Sequence, residues 1–109
     1  MIDWNDFEKI DMRTGTIIEA IDFIKAKKPA YILTIDFGEM GIKKSSAQIT
    51  ALYTKQSLIG KQIIAVINFP PKQIANFFSE CLVLGVYNQQ NEVVLLQPEQ
   101  LLQNGGRIG

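Results

Sequence analysis

The groups with which this chain could do chemistry crowd into one stretch, Asn68-Phe69-Pro70-Pro71-Lys72-Gln73-Ile74-Ala75-Asn76-Phe77-Phe78-Ser79-Glu80. An ammonium group such as that of Lys72 meets phosphate oxygens. A hydroxyl such as that of Ser79 hydrogen-bonds to them, and an exposed ring of Phe77 or Phe78 offers a face for a base. That is the chemistry of holding a nucleic acid without making or breaking a bond. A proline-punctuated connector between two strands has the same composition, so the connector reading stays open. Catalysis finds little to work with. Histidine is absent, which removes the commonest general base and the commonest metal ligand. No nucleophile is spaced against a base, and there is no phosphate loop and no paired carboxylates. Glu80, the one acid set among apolar residues, is expected to hydrogen-bond to backbone. The expectation is a protein that is not an enzyme, with no metal and no cofactor.

The charge pattern points the same way. Net charge is zero, from 11 basic and 11 acidic residues, but the signs are segregated. Residues 1–24 carry Asp3, Asp6, Glu8, Asp11, Glu19 and Asp22 against Lys9 and Arg13, a net of −4. Residues 25–72 carry eight lysines (25, 27, 28, 43, 44, 55, 61 and 72) against Asp36 and Glu39, a net of +6. Residues 73–109 return to −2, with Glu80, Glu92 and Glu99 against Arg107. A basic middle on a neutral chain suits one positive face toward a polyanion, with Lys27, Lys28, Lys43, Lys44 and Lys72 as candidate RNA contacts. Scattered lysines on a solvated surface would give the same totals.

Several elements must position these groups. At 109 residues and 47% hydrophobic content, one folded domain spanning 1–109 is expected. No apolar run nears the ~18 residues of a membrane span. The lone Cys81 beside an apolar run suits a buried thiol in a reducing compartment, so a cytoplasmic location is expected. Ile2–Ile10 reads as a short helical turn capped by Asp3, with Trp4 and Phe7 on one side to dock on the core or on a second subunit. Asp11–Ile24 reads as a long strand, Gly15 marking a bend or bulge. Tyr31, Leu33, Ile35 and Phe37 alternate with Ile32, Thr34 and Asp36 as a half-buried strand. Ile42–Ile49 is a polar strand with one solvated side. Thr50 and Thr54 can each cap a helical turn, the second stopped by Gly60. Lys61–Phe69 is apolar on both phases and expected to be buried on both faces. Leu82–Tyr87 and Glu92–Gln97 flank a hairpin loop at Asn88–Asn91. Pro98–Leu102 could form another turn, and Asn104-Gly105-Gly106 returns a short closing pair at Arg107-Ile108. The fold class predicted is all-β, a five-stranded Greek-key OB-fold barrel with short helical insertions, binding on strands 2 and 3 and the flanking loops.

Several segments carry a resemblance. They are Asp11-Met12-Arg13-Thr14-Gly15-Thr16-Ile17, Ile35-Asp36-Phe37-Gly38, Gly41-Ile42-Lys43-Lys44-Ser45-Ser46-Ala47-Gln48-Ile49-Thr50 and Asn68-Phe69-Pro70-Pro71-Lys72. Phe77-Phe78-Ser79-Glu80-Cys81-Leu82-Val83-Leu84-Gly85 and Val93-Val94-Leu95-Leu96-Gln97-Pro98 complete the set. In order and with almost no insertions, these segments resemble the CsaA family of export-related chaperones. That family lies within the wider group of tRNA-binding domains attached to some aminoacyl-tRNA synthetases. The resemblance implies an OB-fold homodimer without catalytic activity. It also implies a surface for tRNA or structured RNA and an apolar region for unfolded export substrates. Lys72 stands where the family has a basic residue after the proline, and Asn68 and Ser79 match its asparagine and serine. Gln73 replaces a second basic residue, which removes one phosphate contact. Asn76 replaces a glycine, and asparagine tolerates left-handed backbone. Tyr31, Phe77 and Phe78 are the candidate peptide contacts, with at least one of the adjacent phenylalanines turned inward. Trp4 and Phe7 are the candidate dimer contacts.

Overall fold

Alternation of large apolar and polar residues dictates the strand on which the fold is registered. In the computed structural model, which describes residues 1–109, β2 (Tyr31–Asp36) buries Tyr31, Leu33 and Ile35 and turns Ile32, Thr34 and Asp36 outward. Successive side chains point to opposite faces, so this pattern fixes the core side of the sheet. β1 (Met12–Asp22) pairs antiparallel with β2 on one edge and with β4 (Gln62–Val66) on the other. β3 (Ile42–Ala47) flanks β2, and β7 (Leu82–Val83) flanks β4. The five-stranded antiparallel sheet therefore runs β3-β2-β1-β4-β7 and curls into a nearly closed barrel, as the OB-fold expectation requires. Inside it pack Ile17, Leu33, Ile35, Phe37, Leu58, Ile63 and Ala65, all fully buried. β4 buries Gln62, Ile63, Ala65 and Val66, consistent with its apolar run on both phases.

The short helices follow their capping residues. Asp3 accepts from the Asp6 N–H at 2.9 Å and Asp6 reciprocates at 3.1 Å, starting α1 (Trp4–Glu8). Thr54 and Ser57 make the same box for α2 (Lys55–Leu58), which ends before Gly60 at φ +87°. Thr50 starts only a turn, and no helix forms over Pro98–Leu102. That last segment is clamped instead. The Gln62 amide donates to the Leu102 carbonyl (2.7 Å) and accepts from its N–H (3.0 Å), and the Gly105 N–H donates to the Thr14 carbonyl at 2.7 Å.

Four sequence expectations are corrected here. The irregularity in β1 falls between Ile17 and Glu19, where the register to β2 shifts, and not at Gly15. Gly15 serves close packing: a Cβ there would lie 2.6 Å from the Phe37 ring and 2.7 Å from Ile35. The run Leu82–Tyr87 splits, because β7 stays on β4 while β8 (Gly85–Tyr87) leaves to pair with β9 (Val93–Leu95). The strand expected to reach Phe69 stops at Val66. Residues 72–79, expected as an exposed connector, form a second hairpin from β5 (Lys72–Ile74) and β6 (Phe77–Ser79).

Candidate nucleic-acid interface

The double proline explains why the hairpin stands apart from the barrel ladder. Pairing along β1 ends with the Ile67 N–H donating to the Asp11 carbonyl at 2.9 Å, and Pro70 and Pro71, with no N–H to donate, keep the chain from rejoining a ladder before Lys72. The chain restarts as β5 and turns through Ala75-Asn76. It returns as β6, with Lys72 opposite Ser79, Gln73 opposite Phe78 and Ile74 opposite Phe77. The left-handed residue of the turn is Ala75 (φ +54°) and not Asn76, so the tolerance expected of Asn76 is not what the turn uses.

The hairpin is then tied to the free edge of β3. The Glu80 N–H donates to the Lys44 carbonyl (2.8 Å), and the Lys44 N–H donates to Glu80 Oε1 (2.9 Å). The Ser46 N–H donates to Ser79 Oγ (3.1 Å), whose hydroxyl in turn donates to the Cys81 carbonyl (3.3 Å). The barrel seam is thus closed by one backbone bond and two side-chain acceptors. Ser45, fully buried, reinforces it from inside by donating to the Cys81 carbonyl at 2.9 Å.

Between the hairpin and β3 lies an open cleft of about 580 Å³, lined by Ser46, Gln48, Phe69, Pro70, Lys72 and Ser79 among others. Phe69, 55% exposed, presents an aromatic surface beside Lys72, a residue sequence reasoning treated only as a strand end. The prolines after it were the available signal: a residue that cannot be followed by ladder pairing is free to turn outward. Gln48, exposed beyond the end of β3, was likewise missed.

The candidate residues fall into several places. Lys72 and Ser79 line the cleft together, and exposed Lys44 stands on the adjoining strand edge. Asn76 is exposed at the hairpin tip. Lys43 does not share a face with Lys44: it lies on the inward phase with buried Ser45 and Ala47 and is half-buried, because neighbours on a strand alternate. Lys27 and Lys28 are exposed in the β1–β2 loop, outside the cleft lining. Asn68 is held by the scaffold, since its Oδ1 accepts from the Asp11 N–H (3.0 Å) and its Nδ2 donates to the Lys9 carbonyl (2.7 Å). It fastens the start of β1 to the end of β4. Tyr31 is 8% exposed, with its hydroxyl donating to the Tyr53 carbonyl at 2.7 Å, so it presents no surface to a peptide. Phe77 packs edge-on against Phe23 with ring centroids 5.3 Å apart, while Phe78 is 55% exposed. Trp4 and Phe7 meet edge-to-face at 6.5 Å on a helix with no buried residue, Trp4 being 77% exposed.

A family model described as "Putative tRNA binding domain" matches residues 12–107. The chain belongs to the tRNA-binding domain family. Within it, this tRNA-binding domain resembles CsaA. The crystal structure of the CsaA chaperone protein from Picrophilus torridus is 56% identical and superposes with a TM-score of 0.94, each chain covered over 100% of its length. The chaperone CsaA from Bacillus anthracis is 52% identical with a TM-score of 0.95, over 100% of this chain and 99% of that one. The methionine–tRNA ligase of Methanococcoides burtonii is 33% identical over 92% of this chain. The match spans only 14% of that ligase, so this chain corresponds to a small part of such an enzyme.

Proposed function

We propose that this chain binds tRNA or a similarly structured RNA through the cleft between the β5–β6 hairpin and β3, acting as a non-catalytic homodimer. One observation carries the reading: Lys72, Ser46, Ser79 and the exposed ring of Phe69 converge on one cleft, with Lys44 exposed on the adjoining strand β3. Membership of the tRNA-binding domain family supports it. Lysines meet phosphates and release counterions, hydroxyls hydrogen-bond to sugar or phosphate, and Phe69 or Phe78 stacks an unpaired base. Lys27 and Lys28 extend the basic surface beyond the cleft. Nothing in this mode of action calls for a chemical step. Trp4 and Phe7, aromatic and unburied on α1, are the surface for a second copy. The whole chain from 1 to 109 acts as one domain, and an unpaired Cys81 suits work in the reducing cytoplasm.

A second reading, capture of unfolded export substrates, draws on the likeness to two CsaA chaperones and on the apolar half of the same cleft. Phe69 and Leu82 are half-exposed there, and Phe78 is half-exposed on the hairpin. The discriminating experiment is tRNA binding across a salt series. Lys72→Ala should weaken binding and make the dependence of log affinity on log salt shallower by about one unit. An unchanged slope removes Lys72 from the interface. Failure to bind tRNA at low salt, with suppression of aggregation of an unfolded client retained, would hand the cleft to the second reading.

A further inference from the structure

The loop between β1 and β2 combines groups that RNA binding does not use together. Ile24 is 89% exposed where the loop begins, and Lys25, Lys27 and Lys28 are exposed beside it. Half-exposed Ile21 and Ile59 continue the aliphatic surface onto β1 and the end of α2, and with Ile24 they line a shallow groove of about 590 Å³. The one acid in that lining, Asp22, is held by Lys55 at 2.8 Å. None of the three loop lysines has an ion-pair partner. The base of the loop is fixed: buried Phe23 packs on Phe77, and its N–H donates to the Ala30 carbonyl at 3.0 Å. Ile24 therefore projects from an anchored base.

We propose that this loop docks peripherally on an anionic lipid surface, Ile24 entering the interface while Lys25, Lys27 and Lys28 lie among the headgroups. An aliphatic side chain neither stacks on a base nor hydrogen-bonds to one, so a loop built only for RNA gains nothing from an isoleucine that is 89% exposed. A bilayer with anionic headgroups uses both features, since each lysine is attracted to the surface potential and the isoleucine leaves water. One aliphatic anchor with three charges gives reversible attachment.

The test is flotation of the full chain with vesicles of phosphatidylcholine alone and of phosphatidylcholine mixed with phosphatidylserine, with tRNA affinity measured in parallel. The chain is expected on the mixed vesicles and not on the neutral ones, with attachment lost at high salt. Ile24→Ser, at a side chain already in water, should leave thermal unfolding and tRNA affinity unchanged and cut partitioning about tenfold. Replacing Lys25, Lys27 and Lys28 together by glutamine should abolish it. No binding to mixed vesicles, equal binding to neutral ones, or binding indifferent to Ile24→Ser would overturn the proposal. So would an Ile24→Ser variant that loses tRNA affinity, which would make the loop an RNA contact.

Discussion

Polar side chains near the cleft divide by what their hydrogen bonds are already doing. Asn68 and Ser79 look alike in sequence, yet Asn68 spends both ends of its amide on backbone, while Ser79 holds the seam and still lines the cleft. No composition or spacing announces that difference, because it depends on which backbone groups a distant strand leaves unpaired. Tyr31 is the opposite case. The alternation that marked it as facing the core was legible, and its assignment to a peptide surface went against that period. Cys81 was legible as a buried thiol, and the fold adds a consequence. Burial pushes its pKa up from 9.0 to about 12. The folded chain keeps the proton that the unfolded chain releases above pH 9, so this contribution is complete below pH 9 and declines as pH rises toward 12. Unfolding free energies from denaturant titrations at pH 8 to 11 should fall by at most about 1.4 kcal/mol per pH unit on this account. Cys81→Ala should flatten the part of that fall owed to the thiol.

At the scale of the element, legibility follows length and period. β2 alternates over six residues and was read to within one residue, Phe37 lying just past its end, and the caps at Asp3 and Thr54 were legible too. The β5–β6 hairpin escaped because its strands are three residues long, too short to show a period, and its turn lacks glycine. The break between β7 and β8 escaped because a continuous apolar run cannot report that its two halves pair with different strands. The bulge near Ile18 was misplaced onto Gly15, since glycine signals both a bulge and a close approach. The same hairpin carries a prediction. Ala75 sits at φ +54°, a conformation that costs an L-residue with a Cβ about 1–2 kcal/mol. Ala75→Gly relieves that strain at a smaller cost in unfolded-state entropy, so a net gain of about 0.5–1 kcal/mol is expected. Slower amide exchange at Gln73 and Phe78 would register it, and faster exchange would contradict it.

At the scale of the whole molecule, two surfaces await partners. The surface of α1 and the chain's C-terminus, where Trp4, Phe7 and Ile108 line one pocket with Glu8 and Arg107, is the proposed subunit contact. Sedimentation equilibrium should give twice the chain mass, and Trp4→Ser should shift the equilibrium toward the single chain. A wild-type single chain at high concentration would remove the homodimer from the account. The other surface is the cleft proposed for RNA, where barrel closure, hairpin and prolines meet. Amide shifts of the labelled protein on titration with tRNA test it most directly. The account predicts changes at Lys44 and Ser46 and through Lys72–Ser79, with α1 left unmoved. Changes confined to α1 and the terminal residues, or none at low salt, would contradict it.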